Sequence, residues 1–202
     1  MATSEKQILY LATKNKHKLE ELKNLVGSDS WDIRLATDLD PNINWDETGK
    51  SFMENAAIKA EAVRKYTQEA VLADDSGLSV SCLGGAPGIK SSRFAGENAT
   101  DDENIDKLLQ ELSDFDDDER EAKFVCCLVF VNSEGKKSIH YGECRGQMRT
   151  ERSGTNGFGY DPIFQLSDGR TMAELSDEEK NAVSHRSNAT HSWLRSLTGK
   201  EE

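Results

Sequence analysis

Two adjacent carboxylates, Asp74 and Asp75, follow the apolar run Ala70-Val71-Leu72-Ala73 and precede Ser76-Gly77-Leu78. A carboxylate at the end of a buried strand is a common way to present a metal ligand or a general base, and the glycine permits a sharp turn just after it. The spacing predicts a short strand that ends in an acidic turn. A solvated turn without chemistry has the same composition, because Asp and Gly favour turns for backbone reasons alone. Cations stand elsewhere. Thr13-Lys14-Asn15-Lys16-His17-Lys18 joins an apolar strand to a helix, and helix-start amides favour anions. Thr13 and Asn15 can cap or donate there, and Lys18 can reach a phosphate from the first turn; a lysine-rich, well-capped surface helix is the plainer reading. The Gly-x-x-x-x-Gly-Lys-Ser/Thr loop is absent.

Three further stretches carry usable side chains. Glu47 stands just before a helix start, where it can reach a metal or complement the helix dipole. Lys59 lies among small residues in that helix, either solvated or pointing into a cleft. Ser153-Gly154-Thr155-Asn156-Gly157-Phe158-Gly159-Tyr160-Asp161-Pro162 is a glycine-rich loop that projects two aromatics and a carboxylate. Phe158 or Tyr160 can stack on a base, or simply pack a hairpin turn. Gly157-x-Gly159 is no dinucleotide fingerprint, since Pro162 stands where a third glycine belongs. His185 and Arg186 open the last helix outside its apolar stripe, so an exposed or cleft-lining position is expected for both.

The elements that must hold these residues alternate between strand and helix. Ile8–Ala12 and Trp31–Leu35 read as strands, and Leu19, Leu22, Leu25 and Val26 mark a helix face between them. Ser51 to Glu54 forms a capping-box pattern for a helix running to about Tyr66. Asp38 to Asp46 reads as a polar connection, and Leu78-Ser79-Val80 as a separate short strand. Thr100–Glu103 and Ser176–Glu179 are two more capping boxes. Phe124 to Val131 is apolar on both faces and so a central strand, with Asn132–Gly135 as a hairpin loop and Ser138–Arg145 as its partner. Ala189, Trp193 and Leu197 form the stripe of the last helix.

With 202 residues and a net charge of −12, the chain can bury a sizeable core but lacks the basic face of a general nucleic-acid binder. A phosphorylated small molecule remains compatible, held by local cations or a divalent metal. No apolar run approaches the ~20 residues that span a bilayer. The polar start, with no signal-peptide apolar region, points to a cytoplasmic protein with no membrane or nucleic-acid partner. Cys82, Cys126, Cys127 and Cys144 make no Cys-x-x-Cys pair, and Cys126 and Cys127 read as small core residues.

Taken together the motifs resemble the inosine triphosphate pyrophosphatase family, in its bacterial branch. The matching pieces are Ala12 to Lys18, Glu47-Thr48-Gly49 through Phe52 and Asn55-Ala56 to Lys59-Ala60, Ala73 to Leu78, Leu83 to Gly88, Gly157 to Phe164, and Met172 to Leu175 through Lys180 to Ser184-His185-Arg186. They occur in the family's order over nearly the whole chain. Lys14 departs from a common glycine. The resemblance implies a single α/β domain over residues 1–202, with a bent mixed sheet and flanking helices forming two lobes around a long cleft, and a homodimer. It implies that ITP, dITP or XTP and water give the monophosphate and pyrophosphate, with magnesium required.

By family position, Glu47 and Asp75 are the metal ligands and Asp75 activates water, with Asp74 as the fallback for either task. Lys18, Lys59 and Lys180, with the amides around Thr13, Lys14, Asn15, Lys16, His17, Lys18 and Ser76, hold phosphates. Phe158 stacks on the base within Gly157–Tyr160, and Asp161, His185 and Arg186 hydrogen-bond to it; Gly159 and Tyr160 belong to the same binding loop. A related septum-formation-type pyrophosphatase would act on modified pyrimidines, but the Ser-His-Arg and Gly-Phe-Gly-Tyr-Asp matches argue against it. A non-catalytic nucleotide-binding regulator could dispense with Glu47 and Asp75.

Overall fold

The computed structural model describes residues 6–27 and 30–199. Met1 to Glu5 and Lys200 to Glu202, expected to be a polar start and a free tail, lie outside the described residues. The order of elements is β1 (Gln7–Ala12), α1 (Lys16–Val26), β2 (Trp31–Leu35), α2 (Phe52–Arg64), β3 (Ala70–Val80), α3 (Asp101–Glu111), β4 (Glu121–Val131), β5 (Lys137–Met148), β6 (Phe164–Gln165), α4 (Asp177–Val183) and α5 (His185–Leu197). One six-stranded sheet has the order β2-β1-β3-β4-β5-β6. β1 pairs in parallel with β2 and with β3, Leu11 opposite Leu35 and Leu72, while β5 and β6 are antiparallel. The expected mixed α/β class is what forms, with β4 in the interior of the sheet as its two-sided apolar character requires.

The chain divides into two compact units, Met1–Asp75 with Cys126–Gly142 and Ser187–Glu202, and Ser76–Val125 with Glu143–Arg186. In the first unit, strand alternation sorts the apolar residues onto two faces. Leu9, Leu11, Leu72, Cys126 and Leu128 join Leu19 and Leu22 of α1 and Ala189 and Trp193 of α5. Tyr10, Ala12, Val71, Ala73, Cys127 and Val129 join Ala56, Ala60 and Val63 of α2. The second unit has its own core, with Leu78, Ile105, Leu108, Phe124, Phe164 and Met172 among its members. All four cysteines are free, and Cys126 and Cys127 are fully buried, as expected.

Several local expectations change. The acidic turn after Ala73 does not exist: β3 runs unbroken from Ala70 to Val80, through Asp74-Asp75-Ser76-Gly77, and absorbs the separate strand expected at Leu78. Gly77 is not among the glycines with positive φ. Asp and Gly have weak strand propensity, but their place in a strand that has β1 and β4 as neighbours, and the burial of every residue from Ala70 to Asp75, outweigh it. The capping box at α2 is half formed. Ser51 Oγ accepts from the Glu54 amide at 3.2 Å, while Glu54 reaches one residue further back, to the Lys50 amide at 2.6 Å. The polar connection before α2 hides a core residue, Ile43, at 0% exposure, and Leu197 of the α5 stripe is 43% exposed.

The third box forms in full and extends to an ion pair. Glu179 Oε2 accepts from the Ser176 amide at 2.9 Å, Ser176 Oγ accepts from the Glu179 amide at 3.2 Å, and Glu179 Oε1 meets Arg170 Nη1 at 2.7 Å. The Arg170 hydrogen bond, then the Ser176 amide, hold the Glu179 carboxyl down at about 2, from an ordinary 4.5. A carboxyl whose folded value lies below its unfolded value stabilises the fold above the unfolded value and loses that stabilisation as pH falls toward the folded one. Thermal melts of wild type and Glu179→Gln should therefore differ most at about pH 7, with the variant lower, and converge as pH drops from about 4.5 toward 2. A gap independent of pH would place the stabilisation in packing instead.

Candidate active site

In the first unit the two acidic residues of β3 part company. Successive side chains of a strand face opposite ways. Asp74 follows Leu72 onto the α1 and α5 face, and Asp75 follows Ala73 onto the α2 face. Asp74 is buried, with Oδ1 at 2.5 Å from Lys18 Nζ and Oδ2 at 3.6 Å from the Cys126 thiol. Asp75 Oδ1 lies 2.6 Å from Lys59 Nζ, and the same ammonium meets Glu47 Oε1 at 2.8 Å and the Asp74 carbonyl at 3.2 Å.

Lys59 therefore joins two carboxylates at one point. It is 6% exposed, as is Asp75, so this lysine points inward and is not solvated. Burial pulls the Lys59 ammonium down, but Asp75 and Glu47 together pull it up further, and it ends above its ordinary value. The Asp75 carboxyl also ends above its ordinary value, because burial, with the Glu47 carboxylate adding to it, raises it more than Lys59 and Lys18 lower it. A buried carboxylate of raised basicity is suited to accept a proton. The oxygen-only donors of Glu47 and Asp75 are the kind that a hard divalent cation takes.

The turn before α1 is occupied by its own capping. Asn15 Oδ1 accepts from the His17 amide at 2.9 Å and the Lys18 amide at 3.4 Å, and Thr13 Oγ1 accepts from the Asn15 amide at 3.1 Å. Two of the amides expected to be anion donors are thus held by Asn15. The Lys14 ammonium is engaged with Asn44 Oδ1 at 3.1 Å and lies 5.5 Å from the Trp45 ring centroid. Lys16 and His17 are exposed at the start of α1. Lys18 is the lysine of this stretch that reaches a β3 carboxylate.

The second unit gathers another group. Asp161 Oδ2 accepts from the Phe158 amide at 3.0 Å and from Lys180 Nζ at 2.8 Å. Lys180 Nζ stands 4.9 Å, and Arg186 Cζ 5.8 Å, from the Phe158 ring centroid. Arg186 Nη2 donates to Ser76 Oγ at 2.9 Å. The His185 ring stacks on Phe124, centroids 4.8 Å apart and 16° from parallel. His185 and Arg186 are both buried rather than exposed, at 7% and 2%; Phe124, expected only in the core, is the floor under His185. Gly159 donates its amide to Asp101 Oδ2 at 2.7 Å. Tyr160 does not join the group through its ring. It is 4% exposed, packs in the core and donates its hydroxyl to the Ser91 carbonyl at 2.9 Å.

The Ham1 family's sequence model matches residues 9–195. The chain belongs to the Ham1 family. Among its relatives, "dITP/XTP pyrophosphatase" of Shigella flexneri is 46% identical over 194 residues, covering 95% of this chain and 98% of the relative. The protein of the same description from Halalkalibacterium halodurans is 45% identical, covering 89% and 93%. Among solved structures, the Staphylococcus aureus Ham1 protein superposes with a TM-score of 0.86 at 38% identity, covering 96% of this chain and 100% of that one. A nucleoside-triphosphatase / dITP/XTP pyrophosphatase from Mycobacterium abscessus gives a TM-score of 0.75 at 41% identity, covering 93% and 98%.

Within this Ham1 chain, Gly157 is where backbone and ion pair meet. Its φ is +79°, and an added Cβ would stand 2.1 Å from Asp161 Oδ2 and 3.1 Å from Lys180 Nζ. Gly84 has a comparable φ of +64° but open space around it. Left-handed backbone costs a non-glycine residue about 1–2 kcal/mol. Gly157→Ala should therefore lower the melting temperature clearly more than Gly84→Ala, because it also displaces the Asp161–Lys180 pair. Equal shifts in differential scanning calorimetry would mean that the pair tolerates the methyl group.

Proposed function

We propose that this protein hydrolyses the nonstandard purine nucleoside triphosphates dITP, XTP and ITP to the monophosphate and pyrophosphate, and so clears them from the nucleotide pool. The observation that carries the reading is the pair of carboxylates gathered on buried Lys59, in a Ham1 chain whose relatives are dITP/XTP pyrophosphatases. Residues 1–202 are proposed to form one nucleoside triphosphate pyrophosphatase domain.

Glu47 and Asp75 would hold magnesium, which their oxygen donors suit. When bound, the ion neutralises phosphate charge at the scissile bond. Asp75 takes the proton of the attacking water as the bond between the α- and β-phosphates breaks, and its burial-raised basicity supports that task. Lys18, Lys59 and Lys180 supply positive charge for phosphate oxygens, each now held at a carboxylate that a phosphate would replace.

Phe158 supplies the stacking face for the base. Hypoxanthine and xanthine carry a 6-oxo acceptor where adenine carries an amino donor. Arg186 and His185, as N–H donors, match the first and mismatch the second, and a site built on such a bond rejects the wrong partner by orders of magnitude. Asp161 acts on the base through the loop it holds, by its bond to the Phe158 amide. The protein is proposed to work as a homodimer, as the family resemblance implies, and in the cytoplasm. No helix among the described residues is long and apolar enough to cross a membrane.

Pyrophosphate release from ITP, XTP, dITP, GTP and ATP tests the activity directly. Asp75→Asn should lower kcat by about 10²–10⁴-fold, the loss expected for a general base, with the circular dichroism spectrum unchanged; turnover near wild type would remove Asp75 from the chemistry. Arg186→Ala should shrink the ratio of kcat/KM for ITP over ATP by about tenfold or more. An unaltered ratio would move base selection to other residues.

A further inference from the structure

Asn55 is fully buried on α2, one turn before Lys59 and so on the same face of the helix. Its side-chain oxygen accepts from the Gly49 amide at 2.8 Å. The fit there is close, since a Cβ on Gly49 would stand 2.6 Å from that oxygen and 2.7 Å from Glu54 Cβ. The other end of the same amide, Nδ2, is buried with no hydrogen-bond partner among the described residues. Burying an unmatched donor is unfavourable, and an apolar side chain of the same shape would avoid it. Stability alone therefore does not account for an asparagine at this position; the contact made by its oxygen does.

We propose that Asn55 is the positioning residue for Glu47. It clamps the Glu47-Thr48-Gly49 segment onto the first turns of α2, and the Glu47 carboxylate thereby meets Lys59 beside Asp75. Glu47 lies on a stretch without helix or strand, 26% exposed at its side chain, so no ladder of backbone bonds fixes it. Contacts to α2 hold the segment instead: Gly49 on Asn55, Lys50 on Glu54 and Glu47 on Lys59. Lys59 can release its carboxylate to a cation, whereas the Asn55 clamp is neutral and persists when the charges rearrange. The proposal rests on Glu47 being a metal ligand.

The test is Mn²⁺ affinity, read by electron paramagnetic resonance with and without the α,β-imido analogue of ITP, for wild type, Asn55→Leu, Gly49→Ala, the double variant and Glu47→Gln. Asn55→Leu should weaken Mn²⁺ binding by about 10–100-fold, the range for loss of a residue that orients a ligand. Excess Mg²⁺ should restore its turnover, leaving KM for ITP within about twofold, which a general folding defect would not allow. Gly49→Ala breaks the same clamp from the backbone side and should match it. The double variant should be no weaker than either single one, since both act through one contact.

Wild-type affinity in Asn55→Leu, or fully additive losses in the double variant, would overturn the proposal. If Asn55→Leu fails to fold, Gly49→Ala tests the same clamp, and wild-type affinity there would sink it. Wild-type Mn²⁺ affinity in Glu47→Gln is a different failure, because it removes Glu47 from the metal site whatever Asn55 does.

Discussion

Two carboxylates that are neighbours in an extended chain cannot serve one point, because a strand turns successive side chains to opposite faces. On β3 this geometry sends Asp74 toward α1 and Asp75 toward α2, and each meets a lysine from the helix it faces, Lys18 at 2.5 Å and Lys59 at 2.6 Å. The second oxygen-bearing group beside Asp75 is then not its sequence neighbour but Glu47, far earlier in the chain. The acidic dipeptide is divided between two lysines, one on either face of the sheet in the first unit.

The electrostatics follow from that separation. Had both carboxylates shared one face, their mutual repulsion would have added to the desolvation of each. Apart, each is balanced by its own ammonium, and the excess negative charge concentrates where Glu47 and Asp75 share Lys59. There burial lifts the Asp75 carboxyl even against two lysines, and the same carboxylates lift Lys59 against its own burial. An excess of negative charge around one buried cation is what a divalent ion can relieve, whereas breaking such a buried cluster by removing one partner leaves an uncompensated charge. In the second unit the logic is steric. Positive φ at Gly157, with no room for a Cβ, lets Asp161 close on both the Phe158 amide and Lys180.

Much of the site is legible in the sequence because its motifs are local. A cap such as Asn15, a box such as Ser176–Glu179 and a glycine loop such as Gly154–Gly159 act over a few residues, so a short stretch of chain contains the whole interaction. The two-sided apolar run at Phe124–Val131 likewise announces an interior strand. The departures share one cause. Asp74-Asp75-Ser76-Gly77 has the composition of a turn, yet it stays extended as the continuation of β3, whose first residues pair with β1 and which has β4 as its other neighbour in the sheet. Tyr160 looks as able as Phe158 to stack on a base, yet its hydroxyl finds the Ser91 carbonyl and its ring the core. Asn55 gives no local signal, because nothing in its neighbours says that Gly49 will return to it.

By itself, then, the sequence determined the family, the mixed α/β class, the helix starts and the inventory of acids, lysines and aromatics from which a phosphate site can be built. These depend on propensity, periodicity and short spacings, which need no knowledge of distant neighbours. Only the tertiary structure decided which carboxylate faces which lysine, that Glu47 and Asp75 meet on the one ammonium of Lys59, and that His185 and Arg186 are buried. Those outcomes depend on strand parity and on the side of the sheet to which each helix returns, and both are set by long-range pairing that no window of residues contains.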